Sequence, residues 1–144
     1  MLINALIHAA VYAAVAGLLL VVAYVVLDAV TPGHLGSHLL GRDGASASSS
    51  AGVVTGAWLI SNALVLFTAV WTNGATSLGW ELVWTVSFGL FGIILNAAMF
   101  LVVDVITPGS LRAIVCEPGP VRPLAIVAAA SALSVAAIVC ASIA

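Results

Sequence analysis

Charge is the scarcest commodity in this 144-residue chain. Charged side chains make up 6% of it, where a globular domain carries about 25%. All of them can be named: Asp28, Arg42, Asp43, Glu81, Asp104, Arg112, Glu117 and Arg122. A chain so poor in charge and 64% apolar is not an ordinary soluble domain. The net charge of −2 is too small and too scattered to imply a nucleic-acid partner. The two cysteines, Cys116 and Cys140, form no CxxC or metal-type spacing. They read as packing residues or free thiols near opposite membrane faces. Walker A, GxGxxG, HExxH and Gly-x-Ser-x-Gly motifs are all missing. No nucleophile, base and orienting group can be assembled from the residues present, so enzymatic catalysis is not expected, and no cofactor with it.

What the sequence does hold is four uncharged stretches, over 1–27, 44–80, 82–103 and 123–144. Each contains the ~20 mainly apolar residues needed to cross a hydrocarbon core of ~30 Å. Only a helix satisfies its own backbone hydrogen bonds as a lone span in lipid. The expectation is an all-α integral membrane protein with transmembrane helices over 2–30, 52–72, 78–106 and 121–143. The start of the chain has no positive n-region and too long an apolar run for a cleavable leader, so the first stretch reads as a retained helix.

An internal repeat organises these spans. Asp28-Ala-Val-Thr31-Pro32-Gly33-His34-Leu35 and Asp104-Val-Ile-Thr107-Pro108-Gly109-Ser110-Leu111 align without gaps at an offset of 76 residues. At the same offset Tyr12 falls on Phe88 and His8 on Trp84. The reading is one membrane domain over 1–144, with parallel tandem helix-pair repeats over 2–72 and 78–143. Pro cannot continue a helix, yet it is favoured at the first position of a new one, after a Thr cap. Short interfacial helices are therefore expected over 32–40 and 108–116. The Ala-Ser-Ala-Ser-Ser-Ser run over 45–50 reads as a flexible linker. The segment 117–123 reads as a stiffer turn and 73–77 as a tight one.

Orientation is set by the arginines. Arg42, Arg112 and Arg122 all lie in connections one and three, which the positive-inside bias assigns to the cytoplasm, leaving both termini outside. Trp71, Trp80 and Trp84 gather around connection two, as an aromatic belt at the outer interface does.

Few side chains could carry chemistry. Asp28 and Asp104 end long membrane helices, where a negative charge opposes the helix dipole. The expected arrangement holds each carboxylate on an arginine or on backbone amides of the other repeat's surface helix, with equal cost on removal. An ion or proton role is the competing reading. His34 and His38 are four apart and could share a metal, with Asp43 as a conceivable third ligand, although boundary histidines explain them as well. Asn62 and Asn96 read as interhelical glue beside Thr68, Ser131 and Ser134, too few polar groups for a pathway. The small-residue stripe Ala128, Ala132, Ala136, Cys140 and Ala144, like Ala9, Ala13 and Gly17, allows close backbone approach inside the bundle or between copies.

With two helix pairs and the motif Asp28–Leu35 repeated at Asp104–Leu111, the chain resembles the small bacterial inner-membrane family catalogued as domain of unknown function 350. It would be a divergent member. His34 and Leu35 stand where that family places an acidic residue, and Ser48-Ser49-Ser50-Ala51-Gly52 where it has an Asn-Ala-Ala-type entry to the second helix. The resemblance implies a plasma-membrane protein without known catalysis, connected to polyamine-related and envelope-stress gene sets. The reading is a non-catalytic polytopic module among membrane lipid, self-associating or serving a larger membrane-protein assembly. The alternative is a small ion, proton or solute transporter or channel using Asp28 and Asp104. The orientation is testable directly: single cysteines at Ser48 and Ser110 should label only from the cytoplasm and one at Thr76 only from outside, and external labelling at 48 reverses the assignment.

Overall fold

The computed structural model describes residues 2–42, 46–74 and 77–144. Its element order is long–short–long, twice: α1 (Leu2–Val30), α2 (Leu35–Leu40), α3 (Ser49–Trp71), α4 (Leu78–Ile106), α5 (Leu111–Cys116) and α6 (Pro123–Ile143). The four long helices are all apolar enough to span a membrane. At 29 residues each, α1 and α4 run to about 43 Å, beyond the ~30 Å hydrocarbon core.

Four helix starts differ from those expected, each for a local reason. The short helices begin at Leu35 and Leu111, capped by His34 and Ser110, and not at Pro32 and Pro108. Thr107 is the extended C-terminal cap of α4, as a residue before proline must be. Its hydroxyl is turned back onto Val103 O, and that of Thr31 onto Leu27 O. Neither threonine is free to cap the short helix beyond it. Next, α3 starts at Ser49, because Ser48 is a true N-cap whose Oγ accepts from Ala51 N at 3.2 Å. The part of the linker run over Ser48–Ser50 is thus helix cap and first turn. Finally, α6 starts at Pro123, the position a helix tolerates proline best.

Both Thr-Pro corners end on a glycine in the left-handed region, Gly33 at φ 76° and Gly109 at φ 95°. The chain reverses here from a membrane helix into the short one, which a side-chain-bearing residue resists.

In cross-section the long helices form a rhombus. Helices α3 and α4 touch across its short diagonal, while α1 and α6 each pack against both and take the outer corners. Helix α1 therefore lies beside α4, and α3 beside α6. Packing in lipid gains nothing from apolarity alone, so close approach through small residues decides it. Gly89 of α4 enters the groove between α1 and α3: a Cβ there would lie 2.9 Å from Leu19 and 2.7 Å from Leu66. One on Gly92 would lie 3.0 Å from Val65. Ala125, Ala128, Ala132 and Ala136 are all buried, the first two clustered with Ala51, Val54 and Trp58 and the last with Val65. The stripe Ala128–Ala132–Ala136 is thus covered by the chain itself.

The interior is apolar with a few polar side chains set into it, and much of the apolar surface faces outward. The interior holds Ser61, Asn62, Thr85 and Asn96, while Ile60, Phe67, Ile94, Val105 and Ile138 are exposed. The buried Trp58 indole donates to Ala23 O at 2.8 Å and meets the Phe100 ring edge-on.

Gly109 isolates the backbone contribution of the corners, since a Cβ there would meet nothing within 4 Å. Gly109→Ala should cost about 1–2 kcal/mol through its positive φ alone, read as a lowered melting temperature in detergent. An unchanged melt would remove the corner constraint.

Candidate functional site: the arginine-bearing end of the bundle

The carboxylates sit one turn before each corner, where the short helix folds back over them. Asp28 Oδ1 accepts from Leu35 N at 2.6 Å. Asp104 Oδ1 accepts from Arg112 N at 3.1 Å, and its Oδ2 from Arg112 Nε at 2.8 Å. Each aspartate thus meets the first-turn amides of its own short helix, where the positive end of the peptide dipoles lies. Asp104 is held by an arginine, as one of the two expected arrangements has it, but the amides come from the aspartate's own repeat and not from the other repeat's surface helix. The corner is too tight: a chain that turns within a few residues delivers its own amides to the carboxylate first. The two sites also differ. Asp104 is buried, with a guanidinium in bonding distance; Asp28 is half-buried, with a single amide.

What ties the two halves together at this end is serine. Ser48 Oγ donates to Val115 O at 2.7 Å. Arg122 N donates to Ser50 Oγ at 2.9 Å. Ser49 N donates to Gly119 O and Gly119 N to Ala47 O, a short parallel bridge between the connections. The Cys116 thiol reaches Pro32 O at 3.5 Å. Burial of Ser48 and Ser50 in a serine run was not legible, because each takes its partner from the far connection. Arg122 also pairs with Glu117 at 2.8 Å, both half-exposed, an ion pair of little energetic weight.

The histidines are not brought together as a metal site. His34 stands outside α2 as its extended cap, so the two do not share a helical face. No group of three His, Cys, Asp or Glu gathers among the described residues, and Asp43 lies outside them. A cleft of about 350 Å³ does open here, lined by Tyr24, Asp28, His34, Gly36, Ser37 and Arg42.

Within the spans Asn96 Nδ2 donates to Ser61 Oγ at 3.1 Å, and Asn62 Nδ2 to Trp58 O at 2.8 Å. The asparagines' Oδ1 atoms are buried without a partner among the described residues. The sequence singles out neither Ser61 nor Trp58, since each takes its partner from a distant helix, Ser61 from Asn96 and Trp58 from Ala23. At the opposite end Tyr12 Oη donates to Glu81 Oε2 at 2.7 Å, joining α1 to α4. The only signal for that pair was Glu81 standing alone among apolar residues. For labelling, Ser48 is buried and Thr76 lies outside the described residues, so the exposed Ser46 and Ser77 are the better sites.

Two outcomes are expected from this geometry. Asp104→Asn should lower the melting temperature more than Asp28→Asn, the difference reflecting about 1–2 kcal/mol of charge-assisted bonding; equal losses would contradict the geometry. Burial pushes the Cys116 thiol above its ordinary range, so less thiolate is present at any pH below its titration. Alkylation of Cys116 at pH 8 should be slow in the folded protein and accelerate on denaturation; a fast folded-state reaction would contradict the burial.

Comparison with known proteins places these features in context. A family model described as "Domain of Unknown Function (DUF350)" matches residues 1–143. A "UPF0719 transmembrane protein" of Mycolicibacterium paratuberculosis (strain ATCC BAA-968 / K-10) is 36% identical over 107 residues, 74% of this chain and 68% of that protein. No solved structure matches.

Proposed function

Because the chain belongs to the family described as Domain of Unknown Function (DUF350), a transmembrane protein by its fold and its relative, we propose that it is a non-catalytic membrane module that packs side by side with copies of itself. Its place is the bacterial plasma membrane. The arginine-bearing end faces the cytoplasm and both termini face out, in keeping with Arg42, Arg112 and Arg122 all lying in connections one and three.

The observation that carries self-association is an apolar groove between α4 and α6, lined by Leu95, Met99, Val102, Val135 and Ile138. At the repeat offset Leu95 and Met99 correspond to Leu19 and Ala23, both buried on α1. Leu19 borders the α1/α3 groove that Gly89 of α4 enters. The α4/α6 groove is therefore the counterpart of a groove already filled within the chain. What fills it there has its own counterpart: Gly89, Gly92 and Ile93 correspond to Ala13, Ala16 and Gly17 of α1. A second copy that offered α1 would repeat the internal packing without new chemistry. Such a contact is head-to-tail and builds rows or rings, not two-fold dimers.

A transport role finds less support. Asp104 is bonded to Arg112 at one end of its helix, and Gly92 packs tightly against Val65 between α3 and α4.

The contact predicts a specific cross-link. In a background with Cys116 and Cys140 replaced by Ser, Ala13→Cys on one copy should oxidatively cross-link to Leu95→Cys on another in membranes. Neither single variant should cross-link to itself. Absence of the mixed product, or efficient self-linking, overturns this assembly.

A further inference from the structure

The two corners share a motif but not a counter-ion. Asp104 has both carboxylate oxygens engaged by Arg112, one through the backbone and one through the guanidinium. The residue matching Arg112 at the repeat offset is Gly36. Asp28 has only Oδ1 engaged, and no hydrogen bond from a described residue reaches its Oδ2. Over Gly36 lies the cleft of about 350 Å³. A Cβ on Gly36 would meet only the Tyr24 hydroxyl, 3.6 Å away. The first half of the molecule thus presents a cleft and an under-bonded carboxylate where the second presents its own arginine.

We propose that this cleft binds a zwitterionic ammonium–phosphate headgroup, its primary ammonium on Asp28 and its phosphate toward Arg42. The charge pattern selects for a zwitterion. Arg42 on the lining opposes a purely cationic ligand, and Asp28 opposes a purely anionic one. A primary ammonium donates hydrogen bonds to a carboxylate oxygen, as Arg112 does to Asp104; a trimethylammonium has none to donate. His34 and the Tyr24 hydroxyl also line the cleft and can bond phosphate oxygens. Asp28 closes a membrane-length helix, the depth at which lipid headgroups begin. Leu40, also on the lining and 65% exposed, gives the cleft an apolar edge for acyl chains. Phosphatidylethanolamine and soluble phosphoethanolamine share this chemistry. The inference rests on the membrane placement proposed above, but not on the contact between copies.

Native mass spectrometry of the purified full chain, with equimolar phosphatidylethanolamine and phosphatidylcholine added, tests it. The wild type should retain the ethanolamine lipid by about tenfold over the choline lipid, the worth of one charge-assisted hydrogen bond. Asp28→Asn should erase the preference, and Asp104→Asn should leave it. Gly36→Arg should also erase it, by supplying the guanidinium the second half carries, and should raise the melting temperature. Arg42→Gln should weaken retention; if it strengthens retention instead, Arg42 is itself the partner of Asp28 and the proposal falls. No preference in the wild type, or a preference surviving both Asp28→Asn and Gly36→Arg, also overturns it. Should Gly36→Arg fail to fold, Asp28→Asn decides alone. Millimolar phosphoethanolamine that displaces the lipid identifies a soluble zwitterion as the source, and failure to displace identifies the bilayer. The Ala13–Leu95 cross-link is read separately, so either proposal can fail without the other.

Discussion

The close approach of α3 to α4 and α6 sets nearly everything else. In lipid, two helices gain little by hiding apolar side chains from a solvent that is itself apolar, so contact distance and hydrogen bonds must hold them together. Gly89 and Gly92 let α4 reach Val65 and Leu66 of α3, and the buried alanines from Ala125 to Ala136 let α6 do the same. With α3 enclosed, the polar groups are drawn inward. Asn96 meets Ser61, and Trp58 reaches Ala23 O across to α1. The outward faces are left to bulky apolar side chains that lipid accommodates.

The same tightness reaches the arginine-bearing end. Because α3 and α6 run side by side, the connections entering them also lie side by side. Ser48, Ser50 and Gly119 then exchange hydrogen bonds that neither connection could make alone. The aspartates are left to local duty, each holding the start of its own short helix. Arg112 and Gly36, at matching positions, make one corner closed and the other open. A duplicated turn has in this way become two different surfaces, one self-satisfied and one with a carboxylate oxygen to spare.

Side-by-side packing of the helix pairs also has consequences for assembly. A two-fold arrangement of four helices would close on itself. Here α1 and α6 stand at outer corners, and the α4/α6 groove repeats a surface that the chain covers elsewhere.

Composition alone determined the solvent, the helix count and the spans. Lipid forbids unsatisfied backbone, and eight charges leave room for only four crossings. The two corners were equally legible, because Thr-Pro-Gly constrains three consecutive backbone conformations whatever surrounds it. The candidate site was legible only in part. Asp28 and Asp104 stood out as charges at helix ends, but which amide each would meet depended on how sharply Gly33 and Gly109 turn the chain. The serine tie was hidden altogether, because Ser48 and Val115 are 67 residues apart and nothing in either neighbourhood names the other. Small-residue stripes likewise mark where backbones can approach, never which backbone comes. That choice fell to the tertiary structure, which set the alanines of α6 within the chain and left the groove beside them open.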